Sequence, residues 1–255
     1  MVELGLIGWP LSHSFSPDYF KVRFDKEGVK GRYDLFPIDS IDKIQNIIEE
    51  HPDLKGLNVT LPYKQMIIPF IDVLSEHAEE IGAVNVIKIT RESKSGEVKL
   101  KGFNSDWLGF RDSLKPLLRP DIKSALILGT GGASKAIEYA LKTLGIKYMS
   151  VSRQNIDKKP GILTYGQLDR QAINSHLLIV NTTPLGMWPE TNDVPQIPYE
   201  LITDRHICYD LIYNPSETRF LKLCKEKGAV IKNGLEMLHR QAEVSWNIFM
   251  DNNIS

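Results

Sequence analysis

Strand-like and helix-like segments alternate through most of this 255-residue chain, and that alternation restricts the folds open to it. Leu4–Gly8 reads as a buried strand. Pro17–Glu27 reads as a helix with Ser16 at the N-cap and Pro17 at the first helical position. A strand is expected at Tyr33–Ile38, a helix at Ile41–Glu50, and a strand at Gly56–Thr60 that runs into a Pro-Tyr-Lys turn. Ala83–Ile89 and Val98–Lys101 read as strands joined through the polar tract Arg91–Gly96. Asp106–Lys115 is a short helix stopped by Pro116. A fresh unit then begins with the strand Ala125–Leu128, a glycine turn, and a helix to Leu144. Ala133, Ala136, Ile137, Ala140, Leu141 and Leu144 form that helix's apolar stripe. Strands follow at Tyr148–Val151, Leu177–Val180, Ile207–Leu211 and Val230–Lys232, and a last helix at Leu235–Met250. Repeated βα units demand mostly parallel sheets with helices packed on them, because parallel strands need crossover connections. A boundary near residue 105 separates two α/β halves, and the last helix is able to pack on either.

Length agrees with this division, since one domain per about 150 residues gives a quotient of about 1.7. The formal charge is −1, which argues against a nucleic-acid groove or a polybasic membrane face. With 42% apolar and 25% charged residues the chain has a globular composition. The two cysteines, Cys208 and Cys224, form no CxxC, so a disulfide framework is not expected and a reducing cytoplasm is the default. His13, His51, His77, His176, His206 and His239 show no metal-ligand spacing, and no zinc site is expected. No apolar run reaches the roughly 18 residues of a membrane span. Met1-Val2-Glu3-Leu4 lacks the basic start of a signal peptide.

The sharpest local signal is Gly129-Thr130-Gly131-Gly132-Ala133, which follows a strand and opens a helix. Glycines there let backbone approach a pyrophosphate whose charge meets the helix N-terminus. The loop is not a Walker A motif, because no Gly-Lys-Ser/Thr closes it. It is a variant of GxGxxG with Ser134 at the third glycine, and a plain tight turn is the competing reading. An NAD enzyme carries an acid about 20 residues on, at the tip of the next strand. Here the tip is Ser152-Arg153-Gln154, with Lys158 and Lys159 behind it. An arginine pairs with a 2′-phosphate, which favours NADP; the alternative is a solvated loop charge.

In the first half, Ser14 and Ser16 lie two apart, so an extended loop points both hydroxyls one way, towards a carboxylate. Either serine is equally able to cap the next helix. Lys64 lies just past a strand's C-terminal end, where ligands of open α/β sheets gather. Such a lysine is a surface charge or, oriented by a carboxylate, a general acid. Asn85 is polar inside an apolar strand and reads as a ligand contact or a hydrogen-bonded core amide. Asp106 starts a helix, where dipole stabilisation alone accounts for an acid. On the last helix, at about 100° per residue, Glu236, His239, Arg240, Glu243 and Asn247 share one face. Gln241 lies opposite, expected buried and in need of a partner, either a ligand or backbone.

These segments in this order resemble the shikimate dehydrogenase family over nearly the whole chain. The resemblance rests on Pro10-Leu11-Ser12-His13-Ser14-Phe15-Ser16-Pro17, Asn58-Val59-Thr60-Leu61-Pro62-Tyr63-Lys64, Gly82-Ala83-Val84-Asn85 and Gly102-Phe103-Asn104-Ser105-Asp106. It continues through the glycine loop, Asn181-Thr182-Thr183-Pro184-Leu185-Gly186-Met187, Tyr209-Asp210-Leu211-Ile212-Tyr213-Asn214-Pro215 and Asn233-Gly234-Leu235-Glu236-Met237-Leu238 with Gln241.

The resemblance implies two α/β domains with a cleft between them. One is an N-terminal substrate domain with a mostly parallel sheet, residues 1–104 plus 236–255. The other is a Rossmann-like NADP-binding domain, residues 105–235. It implies reversible NADPH-dependent reduction of 3-dehydroshikimate to shikimate, in the pathway to chorismate and aromatic amino acids. Ser14, Ser16 and Tyr213 match residues that hold the substrate carboxylate, and Thr60, Asn85 and Gln241 those that bind hydroxyls or neighbouring polar atoms. Lys64 and Asp106 match the catalytic pair. Gly129, Thr130, Gly131, Gly132, Ala133, Ser152 and Arg153 match cofactor contacts, and Thr183, Leu211 and Gly234 line the nicotinamide end.

The chain departs from the family pattern twice. Asn104-Ser105-Asp106 replaces Asn-Thr-Asp but keeps the hydroxyl, and Ser152-Arg153-Gln154 replaces Asn-Arg-Thr, which changes the bonds flanking Arg153. The implied protein is cytoplasmic, monomeric or homodimeric, and takes a small-molecule substrate, with no nucleic acid, membrane or metal. A quinate/shikimate dehydrogenase and a catalytically silent nucleotide-binding regulator are the alternatives.

Overall fold

The computed structural model describes residues 1–11, 14–92, 95–153 and 161–252. Ser12, His13, Gln154, Lys158 and Lys159 lie outside the described residues. In chain order the strands are β1 (Val2–Gly8), β2 (Gly31–Pro37), β3 (Leu54–Val59), β4 (Val73–Leu74), β5 (Val86–Arg91), β6 (Val98–Phe103), β7 (Ser124–Leu128), β8 (Lys147–Ser152), β9 (Ile162–Thr164), β10 (Leu178–Asn181), β11 (Ile207–Asp210) and β12 (Val230–Lys232). The helices are α1 (Ser16–Glu27), α2 (Ile44–Glu50), α3 (Glu76–Ile81), α4 (Asp106–Leu114), α5 (Gly132–Thr143), α6 (Arg170–Ser175), α7 (Arg219–Lys225) and α8 (Leu235–Phe249). The chain divides into two compact units, Met1–Ser105 with the residues from Gln241 onward, and Asp106–Arg240. The division passes through α8.

In the first unit the sheet order is β2-β1-β3-β5-β6-β4. β1 pairs parallel with β2 and β3, and β4 with β6, while β5 runs antiparallel to β3 and β6. Strand side chains alternate between faces, so Leu4 and Ile7 of β1 point to opposite sides and both are fully buried. On one side Ile44, Ile47 and Ile48 of α2 join Ile7, Leu57 and Ile87 in a core. On the other, Phe20 and Phe24 of α1 and Trp246 and Phe249 of α8 pack around Leu4 and Val86. The Phe20 ring stacks on Tyr33 with centroids 4.4 Å apart.

In the second unit all strand pairs are parallel, in the order β12-β11-β10-β7-β8-β9. The chain winds outward from β7 through β8 to β9, returns to β10 on the other side of β7, and winds outward again. This is the doubly wound order of a Rossmann sheet, and its direction reverses between β7 and β10. Leu126, Leu128, Ile179, Cys208, Phe220 and Cys224 lie in a core built on this sheet.

Several elements differ from the sequence expectation. Phe15 already has helical backbone angles, φ −67° and ψ −29°, so α1 starts at Ser16 rather than after it. Ser16 is therefore not the N-cap; the Ser14 hydroxyl accepts the Ser16 N–H at 3.2 Å. Asn85 stands one residue before β5, not inside it. β4, β9, α3, α6 and α7 were not expected. The three short helices begin at capping side chains, Ser75, Asp169 and Thr218, which accept the N–H of Ala78, Ala172 and Leu221. Helices of six or seven residues are too short to display a 3.6-residue period. No described helix is long and apolar enough to cross a membrane.

Candidate active site

Pairing of Ile7 with Val59, Asn58 with Val86, and Val86 with Phe103 sets one edge of the first unit's sheet. The ends of β1, β3 and β6 and the start of β5 all lie there. Most of the polar residues singled out in this unit follow from that edge. Thr60 directly follows β3; its N–H donates to the Ile7 carbonyl and its own carbonyl accepts the Tyr63 N–H. The turn so formed carries Lys64, whose carbonyl accepts the Val84 N–H at 2.7 Å, directly before Asn85. Lys64 is half-buried.

Asn85 is 3% exposed and Ser105 fully buried. The Ser105 backbone N–H donates to Asn85 Oδ1 at 2.7 Å, and Asn85 Nδ2 donates to Ser105 Oγ at 3.0 Å. Ser105 Oγ also lies 3.3 Å from Gln241 Oε1 and 3.2 Å from Ser245 Oγ. Gln241 is half-buried rather than buried, and the partner of its side chain is this serine. Ser245 Oγ donates to the Gln241 carbonyl at 2.8 Å and accepts from Asn58 Nδ2 at 3.0 Å. Tyr33 donates to Asn58 Oδ1 at 2.9 Å; burial raises the Tyr33 phenol, and the Ser16 side chain opposes that shift. Asn85 and Gln241 thus share one hydrogen-bonded network, which Tyr33 joins through Asn58. Ser14 meets Ser16 only through backbone, and the turn into α1 is helical rather than extended.

Sequence reasoning did not assign Tyr33, Asn58, Ser105 or Ser245 to the site. A signal existed for two of them. Asn58 is polar inside the buried strand β3, and Ser245 follows Gln241 by one helical turn.

In the second unit, Gly129 sits at the tip of β7, at the switch point, with φ +109°. A Cβ there would lie 2.8 Å from Thr182 Oγ1, so both conformation and space require glycine. Gly131 is the N-cap of the twelve-residue α5, whose first turn holds no acid, and a Cβ on it would meet nothing within 4 Å. That open space and the amide-lined helix start fit a pyrophosphate. Thr130 and Ala133 are half-buried beside them. Ser134, in place of the third glycine, is 1% exposed and donates to the Gly131 carbonyl at 2.6 Å, so a small hydroxyl is accommodated at the helix–sheet contact. Ser152 is buried at the end of β8 and Arg153 is exposed just beyond it. Burial raises the Tyr165 phenol, and the charge of Arg153 opposes that shift.

Thr183, Leu211 and Gly234 come together through Asn181 and Asp210. Asn181 Oδ1 accepts the Thr183 N–H at 3.0 Å and its hydroxyl at 2.6 Å. Asn181 Nδ2 donates to Asp210 at 3.1 Å, as does the Ile212 N–H, and Thr218 Oγ1 donates at 2.6 Å. Burial pushes the Asp210 carboxyl up to about 7 against those three bonds. The Leu211 N–H donates to the Asn181 carbonyl, and the Gly234 N–H to the Ile212 carbonyl. A Cβ on Gly234 would fall 1.9 Å from the Leu211 carbonyl oxygen. Tyr213 is 36% exposed in this unit, and Asp106 is buried at the start of α4. Among the described residues no group of three or more His, Cys, Asp or Glu is arranged to hold a metal.

A Rossmann sheet with a glycine loop at its switch point, in a chain whose other unit gathers neutral hydrogen-bonding groups at a sheet edge, defines a nicotinamide-dependent dehydrogenase of a small oxygen-rich substrate. Residues 6–87 match the family model of the shikimate dehydrogenase substrate binding domain. A shikimate dehydrogenase (NADP(+)) of Caldanaerobacter subterraneus subsp. tengcongensis is 35% identical, over 96% of this chain and 90% of the relative. The crystal structure of shikimate dehydrogenase from Aquifex aeolicus superposes with a TM-score of 0.86 at 35% identity, covering 100% of this chain and 94% of that one. Shikimate 5-dehydrogenase from Thermus thermophilus, in complex with NADP(H) and shikimate, gives a TM-score of 0.84 at 28% identity, covering 100% and 95%. The chain belongs to the shikimate dehydrogenase family.

Proposed function

We propose that this chain catalyses the reversible NADPH-dependent reduction of 3-dehydroshikimate to shikimate, on the way to chorismate and aromatic amino acids. The observation that carries the reading is the meeting of Asn85 and Gln241 on Ser105, with Gln241 136 positions beyond that serine. Distant segments supply neutral amides and hydroxyls at one place, which suits a polyhydroxylated acid.

NADPH, when bound, supplies the hydride to the C3 carbonyl carbon. The chain's own residues do the rest. Ser14, Ser16 and Tyr213 hold the carboxylate, and Thr60, Asn85 and Gln241 bind hydroxyls. Negative charge develops on the carbonyl oxygen, and Lys64, oriented by Asp106, gives it a proton and takes one back in reverse. Gly129–Ala133 bind the pyrophosphate, Ser152 and Arg153 the 2′-phosphate, and Thr183, Leu211 and Gly234 the nicotinamide end. The free thiols of Cys208 and Cys224 suit a reducing compartment, and the cytoplasm is the proposed site of action. A monomer or a homodimer serves this chemistry equally.

The test is nicotinamide absorbance with shikimate or quinate, each crossed with NADP⁺ or NAD⁺. Turnover is expected with shikimate and NADP⁺. Turnover with quinate alone, or in no combination, would overturn the reading.

A further inference from the structure

We propose that the Tyr165 hydroxyl is a second donor to the 2′-phosphate of NADP, beside Arg153, and so helps the chain choose NADP over NAD. This contact rests on the functional reading above, to which it adds one residue of the cofactor site. β8 and β9 run parallel, with Ser150 opposite Ile162, Val151 opposite Leu163 and Ser152 opposite Thr164. Neighbouring strands lie about 4.8 Å apart, and side chains alternate between faces. Val151 and Leu163 both pack into the core of this unit, so the next positions on their face are Arg153 and Tyr165. Each stands one residue past the last paired position, at the tips of adjacent strands.

Tyr165 is firmly seated there. Its ring packs against the core that holds Val151, Leu168 and Ile173. Gln167 Oε1 accepts the Thr164 N–H at 2.8 Å and the Thr164 hydroxyl at 3.1 Å, and the Tyr165 carbonyl accepts the Leu168 N–H. The Tyr165 hydroxyl, by contrast, has no partner among the described residues. A phenol ordinarily finds one when it is buried. Arg23 Nε is the one buried side-chain polar atom without a partner among the described residues, so the Tyr165 oxygen reaches solvent while the residue as a whole is half-buried. Burial raises this phenol, which therefore keeps its proton to donate near neutral pH, and the Arg153 charge is close enough to act on it.

A phosphate monoester offers three acceptor oxygens, and a guanidinium fork meets two of them. A neutral donor from the next strand adds a further bond. Bonds to a charged acceptor are roughly twice as strong as those between neutral groups. NAD has only a hydroxyl at this place, and draws correspondingly less from the same donor.

Tyr165→Phe keeps the ring and removes the hydroxyl. Calorimetric titration compares this variant with the wild-type chain, using adenosine 2′,5′-bisphosphate and adenosine 5′-monophosphate, which differ only in the 2′-phosphate. The variant is expected to bind the bisphosphate about tenfold more weakly and the monophosphate within about twofold of wild type. Its melting temperature should be unchanged, because the packed ring remains. Equal weakening of both nucleotides, or weakening of neither, would overturn the contact. A wild-type chain with no preference for the bisphosphate would overturn the cofactor reading, and this contact with it. A preference that the variant loses, in a wild-type chain that does not turn over shikimate, would uphold the contact and overturn the catalytic reading alone.

Discussion

The two units hold their polar groups at strand ends by opposite means. In the first, Tyr33, Asn58, Asn85, Ser105, Gln241 and Ser245 form a network of neutral side chains drawn from β2, β3, the residues flanking β5 and β6, and α8. In the second, a glycine loop opens α5, and the strand ends are tied by one buried carboxylate, Asp210. Neutral networks are buried without a penalty for charge, so long as every partner is present. A buried carboxylate resists ionisation even with three donors around it. The comparison teaches that the first unit joins its strand ends with neutral donors and acceptors, whereas the second uses a buried carboxylate and carries a pH dependence as a consequence.

The comparison breaks most directly at Lys64. Lys64→Ala is expected to lower kcat by about 10²–10⁴-fold while leaving KM for NADP⁺ near wild type. Unchanged turnover would remove the lysine from the proton step, and a raised cofactor KM would end the division of labour between the units.

The next largest effect is thermodynamic. The Asp210 carboxyl is raised from 3.8 to about 7 by burial, so the folded chain keeps this proton where the unfolded chain has lost it. Its contribution is fully present below the unfolded value and lost as pH rises through about 7. Between those limits the unfolding free energy should fall by about 1.4 kcal/mol per pH unit on account of this group. Urea denaturation at a series of pH values measures the slope, and Asp210→Asn should flatten it. An identical slope in the variant would assign the pH dependence elsewhere.

Arg153→Ala sharpens the comparison from the cofactor side. Loss of a charge-assisted bond should weaken NADPH about ten- to a hundredfold and NADH far less, as read by calorimetric titration. Equal weakening of both would remove the 2′-phosphate contact. The smallest effect is expected from Gly129→Ala, where a left-handed backbone position costs about 1–2 kcal/mol. It should lower the melting temperature and NADPH affinity and spare shikimate binding, and a variant with wild-type stability would show that the loop relaxes.

Much of the second unit was legible in advance because its logic is local. A strand, a glycine loop and an amphipathic helix follow one another directly, and β12 and the start of α8 fall where hydrophobic pattern placed them. The glycine at 129 is demanded by its own φ, a property of one residue. Arg153 is at the expected strand tip for the same reason. Legibility failed for short elements, since α3, α6 and α7 depend on a capping side chain and tertiary packing rather than on a repeated period. It failed also at Ser16. Pro17 reads as the first helical residue, yet Phe15 has already turned helical, and the Ser14 hydroxyl accepts the Ser16 N–H.

In the first unit the sequence marked Asn85 and Gln241 as polar residues in apolar settings but left their partners open. Within the protein the Gln241 side chain meets Ser105 rather than backbone. No local pattern connects a serine after β6 with a glutamine on the last helix.

By itself, then, the sequence determined the alternation of strands and helices, the glycine loop between β7 and α5 and the absence of an acid at the β8 tip, since backbone preference and periodicity act over a few residues. Tertiary structure alone decided which hydroxyls and amides meet, and that Asp210 is buried deeply enough to raise its carboxyl well above the usual range. Those outcomes depend on burial and on donors arriving from distant segments, and neither is written in the neighbourhood of any single residue.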